Sequence, residues 1–193
     1  MNAITFQEDG HKYFNDSGIE VPSVSELLHH FGISNFSMVD SRVLEAASSF
    51  GSVVHQTCHL HDIDDLAESD PLVQPYLNQW IKFTNNAGFQ AGYDLIEKSL
   101  YSKVWGYAGT PDRRYDNILI DIKTGQEALS HRIQTALYQI LVEENLKIKI
   151  KERWAVYLRE DDYKVVMHKD KTDISIAKSL AQIYAWKRRE KLL

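Results

Sequence analysis

The spacing of apolar side chains divides this chain into stretches of two periods, one near 3.6 residues and one near two. Near the start, Ile4-Thr5-Phe6 and Lys12-Tyr13-Phe14 flank Asp9-Gly10, the pattern of a β-hairpin. Ser23 with Glu26 three residues on forms a capping box, which predicts a short helix ending near Gly32. From Ser41 to about His59, Val43, Leu44, Ala47, Val54 and Cys58 fall at helical spacing. A third helix is predicted from Pro71 to Ala87, carrying Leu72, Tyr76, Trp80 and Phe83 and closing at Gly88.

The period then shortens. Tyr93 to Leu100, Lys103 to Ala108 and Ile118 to Lys123 read as short strands. Ser130 to Asn145 is the clearest amphipathic helix, with Ile133, Leu137, Ile140 and Leu141 on one side. Arg153 to Leu158 and Lys164 to His168 read as two strands joined at Glu160-Asp161-Asp162. Thr172 to Lys191 closes as a helix bearing Ile176, Leu180, Ile183 and Tyr184. This order predicts an α/β (α+β) fold, a central mixed β-sheet flanked by helices. No repeat, low-complexity tract or linker interrupts it, so residues 1–193 are expected to form one domain. Within it, 1–40 hold the hairpin and short helix, 41–145 the motif-bearing core, and 146–193 two strands and the C-terminal helix.

Composition narrows the class. A chain of 193 residues, 44% hydrophobic and 25% charged, buries a core unaided and reads as soluble and globular. The single cysteine, Cys58, excludes an internal disulfide and an all-cysteine metal or iron–sulfur cage. Met1 to Asp9 lacks the basic and apolar regions of a secretory signal, and no run reaches bilayer length. The expected setting is cytoplasmic, with no membrane. The net charge of −5 argues against a nucleic-acid partner until it is divided along the chain. Residues 147–193 hold 13 Lys and Arg against 7 Asp and Glu, whereas residues 1–146 hold 9 against 20. The acidic excess includes His61 to Asp70, which reads as a solvated loop. A basic C-terminal third fits contact with phosphates through one face, and fits an ordinary mixed-charge surface equally well.

The chemistry concentrates in Gly109-Thr110-Pro111-Asp112 and Asp121-Ile122-Lys123-Thr124-Gly125. Strand alternation places Asp121 and Lys123 on one side and Ile122 on the other. Leu119 and Ile122 then lie on opposite faces, so the strand is apolar on both sides at its start. An acid and a lysine at the end of a buried strand are costly unless paired or coordinated. Hard divalent cations take carboxylate oxygens, and a neighbouring lysine can hold a phosphate or polarise a water. A structural salt bridge at the strand end is the plain alternative. Pro111 fixes the backbone and places Asp112 at a rigid bend. Glu97 sits in the preceding strand, where a solvent-facing role is the default. Gln134 and Tyr138 lie four apart on one face of the next helix. His55 lies four after Gly51, with His59 and His61 nearby; a lone helical histidine is more often packed or exposed than a ligand.

The ordered set Gly51-x3-His55, Glu97, Gly109-Thr110-Pro111-Asp112, Asp121-Ile122-Lys123 and Gln134-x3-Tyr138 resembles the PD-(D/E)xK nuclease superfamily. It looks most like the RecB-like branch, which includes phage exonucleases and mitochondrial genome-maintenance exonucleases. The resemblance spans Gly51 to Tyr138 by motif, and Tyr13-Phe14 with Val21-Pro22-Ser23-Val24 is similar to the lead-in of phage-type members. It implies a restriction-endonuclease-like core. Asp112 and Asp121 would be the central metal-binding carboxylates, with His55, Glu97 and the Ile122 carbonyl as further ligands. Lys123 would position and polarise the attacking water, and Gln134 and Tyr138 would contact DNA or support the lysine. The DNA-binding set it implies is Gly51, Ser52, Thr110, Arg113, Thr124, Gln134 and Tyr138. One or two Mg²⁺ or Mn²⁺ ions are implied, and His55 favours tolerance of Mn²⁺. The four-cysteine iron–sulfur subgroup is disfavoured, because Cys58 stands alone.

The expected function is a divalent-metal-dependent deoxyribonuclease, an exonuclease of recombination, repair or phage replication in a bacterial or phage-infected cell. Its partners would be DNA ends, single- or double-stranded, and a single-strand annealing or other recombination protein. Oligomeric state is left open. A structure-specific or restriction-type endonuclease keeps the same site, and a non-cleaving DNA-binding or protein-interaction module keeps only the fold. Trp105 and Tyr107 could stack on a base or pack in the core, with packing the favoured reading. Trp186 with Lys187-Arg188-Arg189 fits phosphate contact or a solvated helix end.

Overall fold

The computed structural model describes residues 4–7, 9–34, 40–89 and 92–193. Strands β1 (Ile4–Gln7), β2 (Lys12–Asn15) and β3 (Glu20–Val21) form an antiparallel three-stranded sheet that includes the expected hairpin. Helix α1 (Val24–His30) starts where the Ser23 hydroxyl accepts the Glu26 N–H at 2.9 Å. The Glu26 carboxylate leaves the capping box half made, because it accepts from the Tyr184 hydroxyl instead. Helices α2 (Ser41–Asp62) and α3 (Gln74–Ala87) follow, the latter ending at Gly88 with φ 74. Then come β4 (Leu95–Ile96), β5 (Leu100–Ser102), β6 (Tyr107–Gly109), β7 (Arg113–Tyr115) and β8 (Ile118–Lys123). Helix α4 (Leu129–Leu146), β9 (Glu152–Leu158), β10 (Tyr163–Met167) and α5 (Thr172–Arg189) complete the order.

The central sheet is mixed, with order β10-β9-β8-β7-β4; β8 and β9 are parallel and its other neighbours antiparallel. Helix α4 makes the crossover between the parallel pair. Strand β8 is apolar on both sides, as the alternation requires. Leu119 joins the core of α1, α4 and α5 with Leu27, Leu137 and Ala181, while Ile120 and Ile122 join that of α2 and α3 with Val54, Cys58, Trp80 and Phe83. Among the described residues, no helix is long and apolar enough to cross a membrane.

Tertiary contacts override the predicted elements in five places. The strand predicted over 93–100 breaks at Glu97, where φ is 40 and the N–H donates to the Asp112 carbonyl at 2.8 Å. Its first part, β4, joins the central sheet, and β5 pairs with β6 in a separate two-stranded sheet. The strand predicted from Lys103 begins only at Tyr107. Residues 103–106 instead form a turn with Gly106 at φ 70, closed by the Gly106 N–H on the Ser102 carbonyl at 2.8 Å. Strand β7 reads as polar turn in sequence because two of its three residues are arginines.

Helix α2 continues to Asp62, so the stretch from His61 is not wholly a solvated loop; the Asp62 side chain is only 4% exposed. On α5 the buried stripe is Ala177, Ala181 and Tyr184, whereas Ile176 and Ile183 are 42% and 44% exposed. Small side chains on that stripe let α5 lie close to α4, which turns the larger isoleucines outward.

A charged cluster under α4 joins it to β9 and α5. Asp173, buried, pairs with Arg132 and Arg153 at 2.8 Å each, and Thr135 Oγ1 lies 2.9 Å from His168 Nδ1. Burial, helped by the Arg153 charge, pushes the His168 pKa down to about 4 from an ordinary 6.5. The folded chain therefore prefers neutral His168. Its contribution is present above pH about 6.5 and is lost as pH falls toward about 4, because the unfolded chain takes up the proton first. Thermal melts should show wild type falling more steeply than His168→Asn as the pH drops below about 6.5.

Candidate active site

The Asp112–Asp121–Lys123 group is built by two antiparallel strands. Arg113 pairs with Ile120, so one further step along the register sets Asp112 beside Asp121. Asp112 and Asp121 are 7% and 1% exposed. Asp112 Oδ2 accepts the Ile122 N–H at 2.6 Å, which locks the acid to the strand that carries its partner. Lys123 Nζ stands 2.7 Å from Asp121 Oδ2, an oxygen that is buried and has no partner in hydrogen-bond geometry. From α2, His55 Nδ1 reaches to 3.5 Å from Asp112 Oδ1. Gly51, one turn earlier, lets the helix approach: a Cβ there would stand 3.3 Å from Thr124 Oγ1.

Helix α4 closes the group from the other side. Gln134 Nε2 donates to the Tyr138 hydroxyl at 3.3 Å, and both aspartates are near enough for their charges to act on that phenol. Gly109 is required for this approach. A Cβ there would stand 2.8 Å from both Tyr138 Cε1 and Val24 Cγ2. The structure thus brings together His55, Asp112, Asp121, Lys123, Gln134 and Tyr138, from three separate elements and the loop before β7.

The two carboxylates are pushed apart electrostatically. Burial raises the Asp112 pKa, but His55, Lys123 and the Ile122 N–H outweigh it and hold the carboxyl below its usual range. Burial also raises Asp121; Lys123 opposes this, yet with the charge of Asp112 added the net shift is upward. Burial lowers the His55 pKa, and Asp112 more than reverses it, so the imidazole is biased toward its protonated form. Burial first, then the two aspartate charges, keeps the Tyr138 phenol protonated.

One expectation for this region is corrected. Arg113 cannot belong to a DNA-contacting surface, because it is fully buried: Nε pairs with Asp62 Oδ2 at 2.7 Å and Nη1 with Glu97 Oε1 at 3.0 Å. Its Nη1 also donates to the Asp112 carbonyl at 2.8 Å, and the guanidinium lies 5.8 and 5.9 Å from the rings of Trp80 and Tyr93. Glu97 is drawn into this same network, with Arg113 on one oxygen and His59 Nδ1 3.4 Å from the other. Its carboxylate is therefore held by a cation.

Asp62 and His59 are the members that the sequence reading passed over. The signal was present: Gly51, His55, His59 and Asp62 recur at helical spacing, and extending the helix by one turn brings Asp62 onto that face. Trp80 Nε1 donates to Asp62 at 2.9 Å, completing the burial of this acid.

The remaining expected contacts divide. Ser52 and Ser48 line a cleft of about 660 Å³ with His11, Lys12 and Glu20, between the N-terminal hairpin and α2. Gly51 and Thr124 meet beside it. The Thr110 hydroxyl is already bound, 2.9 Å from both the Tyr13 hydroxyl and Ser99 Oγ, and so docks the hairpin onto the loop that carries Asp112. Tyr107 is fully buried and donates to the Leu137 carbonyl at 2.8 Å, so it is a core residue. Trp105 packs against the same core, with Lys178 over its ring at 5.9 Å. Trp186 is 47% exposed, while Arg188 donates to the Glu20 carbonyl at 3.0 Å.

Among the described residues, no three His, Cys, Asp or Glu side chains form a ready-made metal cage. What the donors fit is a looser arrangement. Two buried carboxylates set side by side, one of them paired with Lys123, suit a hard cation that keeps several of its own waters.

Comparison with solved structures agrees with the sheet and its helices. The chain superposes on a candidate exonuclease from Eubacterium rectale with a TM-score of 0.51 and 10% sequence identity. The match covers 69% of this chain and 64% of that one. The likeness is one of fold. No protein-family model matches the chain, and no curated protein matches it in sequence.

Proposed function

We propose that this protein is a metal-dependent DNA nuclease of the PD-(D/E)xK type, RecB-like, acting as an exonuclease. The observation that supports this best is convergence. Residues from motifs spread over Gly51 to Tyr138 meet at one buried group, Asp112, Asp121 and Lys123, under His55 and Tyr138. Burial beside the charge of Asp112 disfavours ionised Asp121, and a bound cation would relieve that cost. Asp112 and Asp121 would hold Mg²⁺ or Mn²⁺, with His55 and the Ile122 carbonyl as further donors. Such an ion supplies Lewis acidity to a water and to the scissile phosphate.

The chain's own groups do the rest. Lys123, anchored on Asp121, presents an ammonium where a phosphate oxygen or attacking water would sit. Ile122 N–H and Arg113 fix Asp112 through its carboxylate and its carbonyl respectively. Tyr138, kept protonated, and Gln134 form a neutral polar wall on the α4 side. The test is cleavage of end-labelled linear DNA and of closed circular DNA, with Mg²⁺, with Mn²⁺ and with a chelator. The proposal expects linear substrate to be consumed from an end only when metal is present, with circles untouched. Cut circles would make the enzyme an endonuclease. Binding without turnover in either metal would overturn the nuclease reading in favour of a non-cleaving module.

A further inference from the structure

We propose that His131, oriented by Tyr157, forms with Lys123 a subsite for a backbone phosphate of the substrate, on the β9 side of the aspartates. This rests on the nucleic-acid reading above and adds residues that no motif in the chain marks. Tyr157 pairs with Lys123 across the parallel β8–β9 register. Its neighbour Val156 packs with the α2–α3 core, so alternation turns Tyr157 toward α4, the side of Asp121 and Lys123.

There its hydroxyl lies 2.7 Å from His131 Nδ1. In the proposed arrangement the phenol gives its single proton to Nδ1. Donation to Nδ1 fixes the ring as the tautomer with its proton on Nε2. Burial, with the charge of Lys123 adding to it, lowers the His131 pKa to about 4, so the ring is a neutral donor at physiological pH.

His131 also occupies the same helical face as Gln134 and Tyr138, at i, i+3 and i+7. The stripe that lines the site thus extends one turn toward the start of α4. Of the carboxylates around this pair, Glu127 is engaged by Lys164 and Asp121 by Lys123 itself. The subsite therefore offers an N–H donor and an ammonium that rests on Asp121 through one of its three protons, near the end of two adjacent strands. A phosphodiester, with one negative charge and two acceptor oxygens, matches that pair.

The test separates binding from chemistry. Labelled oligonucleotide affinity is measured in a chelator, and steady-state cleavage in Mg²⁺, for wild type, His131→Ala, His131→Gln and Tyr157→Phe. His131→Ala should weaken affinity and raise KM by about ten- to a hundredfold, the worth of one hydrogen bond to a charged group, with kcat nearly unchanged. His131→Gln, which restores an N–H donor, should recover most of the loss. Tyr157→Phe should weaken affinity severalfold, and the ¹⁵N shifts of His131 should move from the Nε2–H form toward a tautomer mixture, a change that lost packing would not produce. Unchanged affinity in both His131→Ala and Tyr157→Phe would overturn the subsite. Wild-type cleavage with unaltered affinity in His131→Ala sinks the subsite and spares the nuclease; lost affinity without wild-type cleavage does the reverse.

Discussion

Replacing Lys123 by alanine is expected to slow DNA cleavage by about 10²- to 10⁴-fold, the usual worth of a positioned proton-handling or charge-stabilising group. Asp121→Asn should do the same, and it offers a second readout. Asp121 is nearly inaccessible, and its pKa is raised by burial and by the charge of Asp112. A carboxyl whose pKa rises on folding contributes stability below its unfolded value and loses it as pH climbs through the folded value. Without metal and above that range, ionised Asp121 therefore weighs against the fold. Asp121→Asn should melt no lower than wild type in a chelator, yet gain nothing when Mg²⁺ or Mn²⁺ is added, whereas wild type should gain. Wild-type cleavage rates in either variant would remove the proposed mechanism.

Arg113→Ala is expected to cost about 3–5 kcal/mol of folding stability, read from denaturant unfolding. The guanidinium is fully buried among Asp62, Glu97 and the Asp112 carbonyl, with Trp80 and Tyr93 on its flanks. Truncation strands Asp62, whose side chain is only 4% exposed, and opens a cavity between two aromatic rings. Arg113→Lys should recover little, because an ammonium cannot serve Asp62, Glu97 and a carbonyl in one plane. A cost below about 1 kcal/mol would show that the network is not what holds β7 in place. The same residue also bears on activity, since it fixes the main chain of Asp112 and pairs with Glu97.

How much of this could be read from the sequence follows from the range of each interaction. Local signals carried far. Hairpin, helix caps and the α4 stripe depend on neighbours a few residues apart, and Ser23, Gly88 and Leu137 appear in their expected places. The mixed sheet was legible from the order of periods, and the two-sided apolarity of β8 from alternation across Leu119, Ile120 and Ile122. The pairing of Asp121 with Lys123 on one side of β8 was fixed by the strand itself.

Where an element's state depends on a distant partner, the sequence was silent. Glu97 breaks a strand because its amide is taken by Asp112, fifteen positions on by number and adjacent only in the fold. Arg113 looked like a surface cation and is a core residue, because Asp62 arrives from the last turn of α2 and Trp80 from α3. Likewise, α5 turns Ile176 and Ile183 outward because its alanine stripe packs closer to α4. The sequence by itself determined the strand-borne acids, the lysine beside them and the layers that cover them, since those follow from backbone periodicity. Only the tertiary structure decided which charged groups are spent on each other, because a buried charge pairs with whatever ion the packing brings within about 3–4 Å, and that choice has no period.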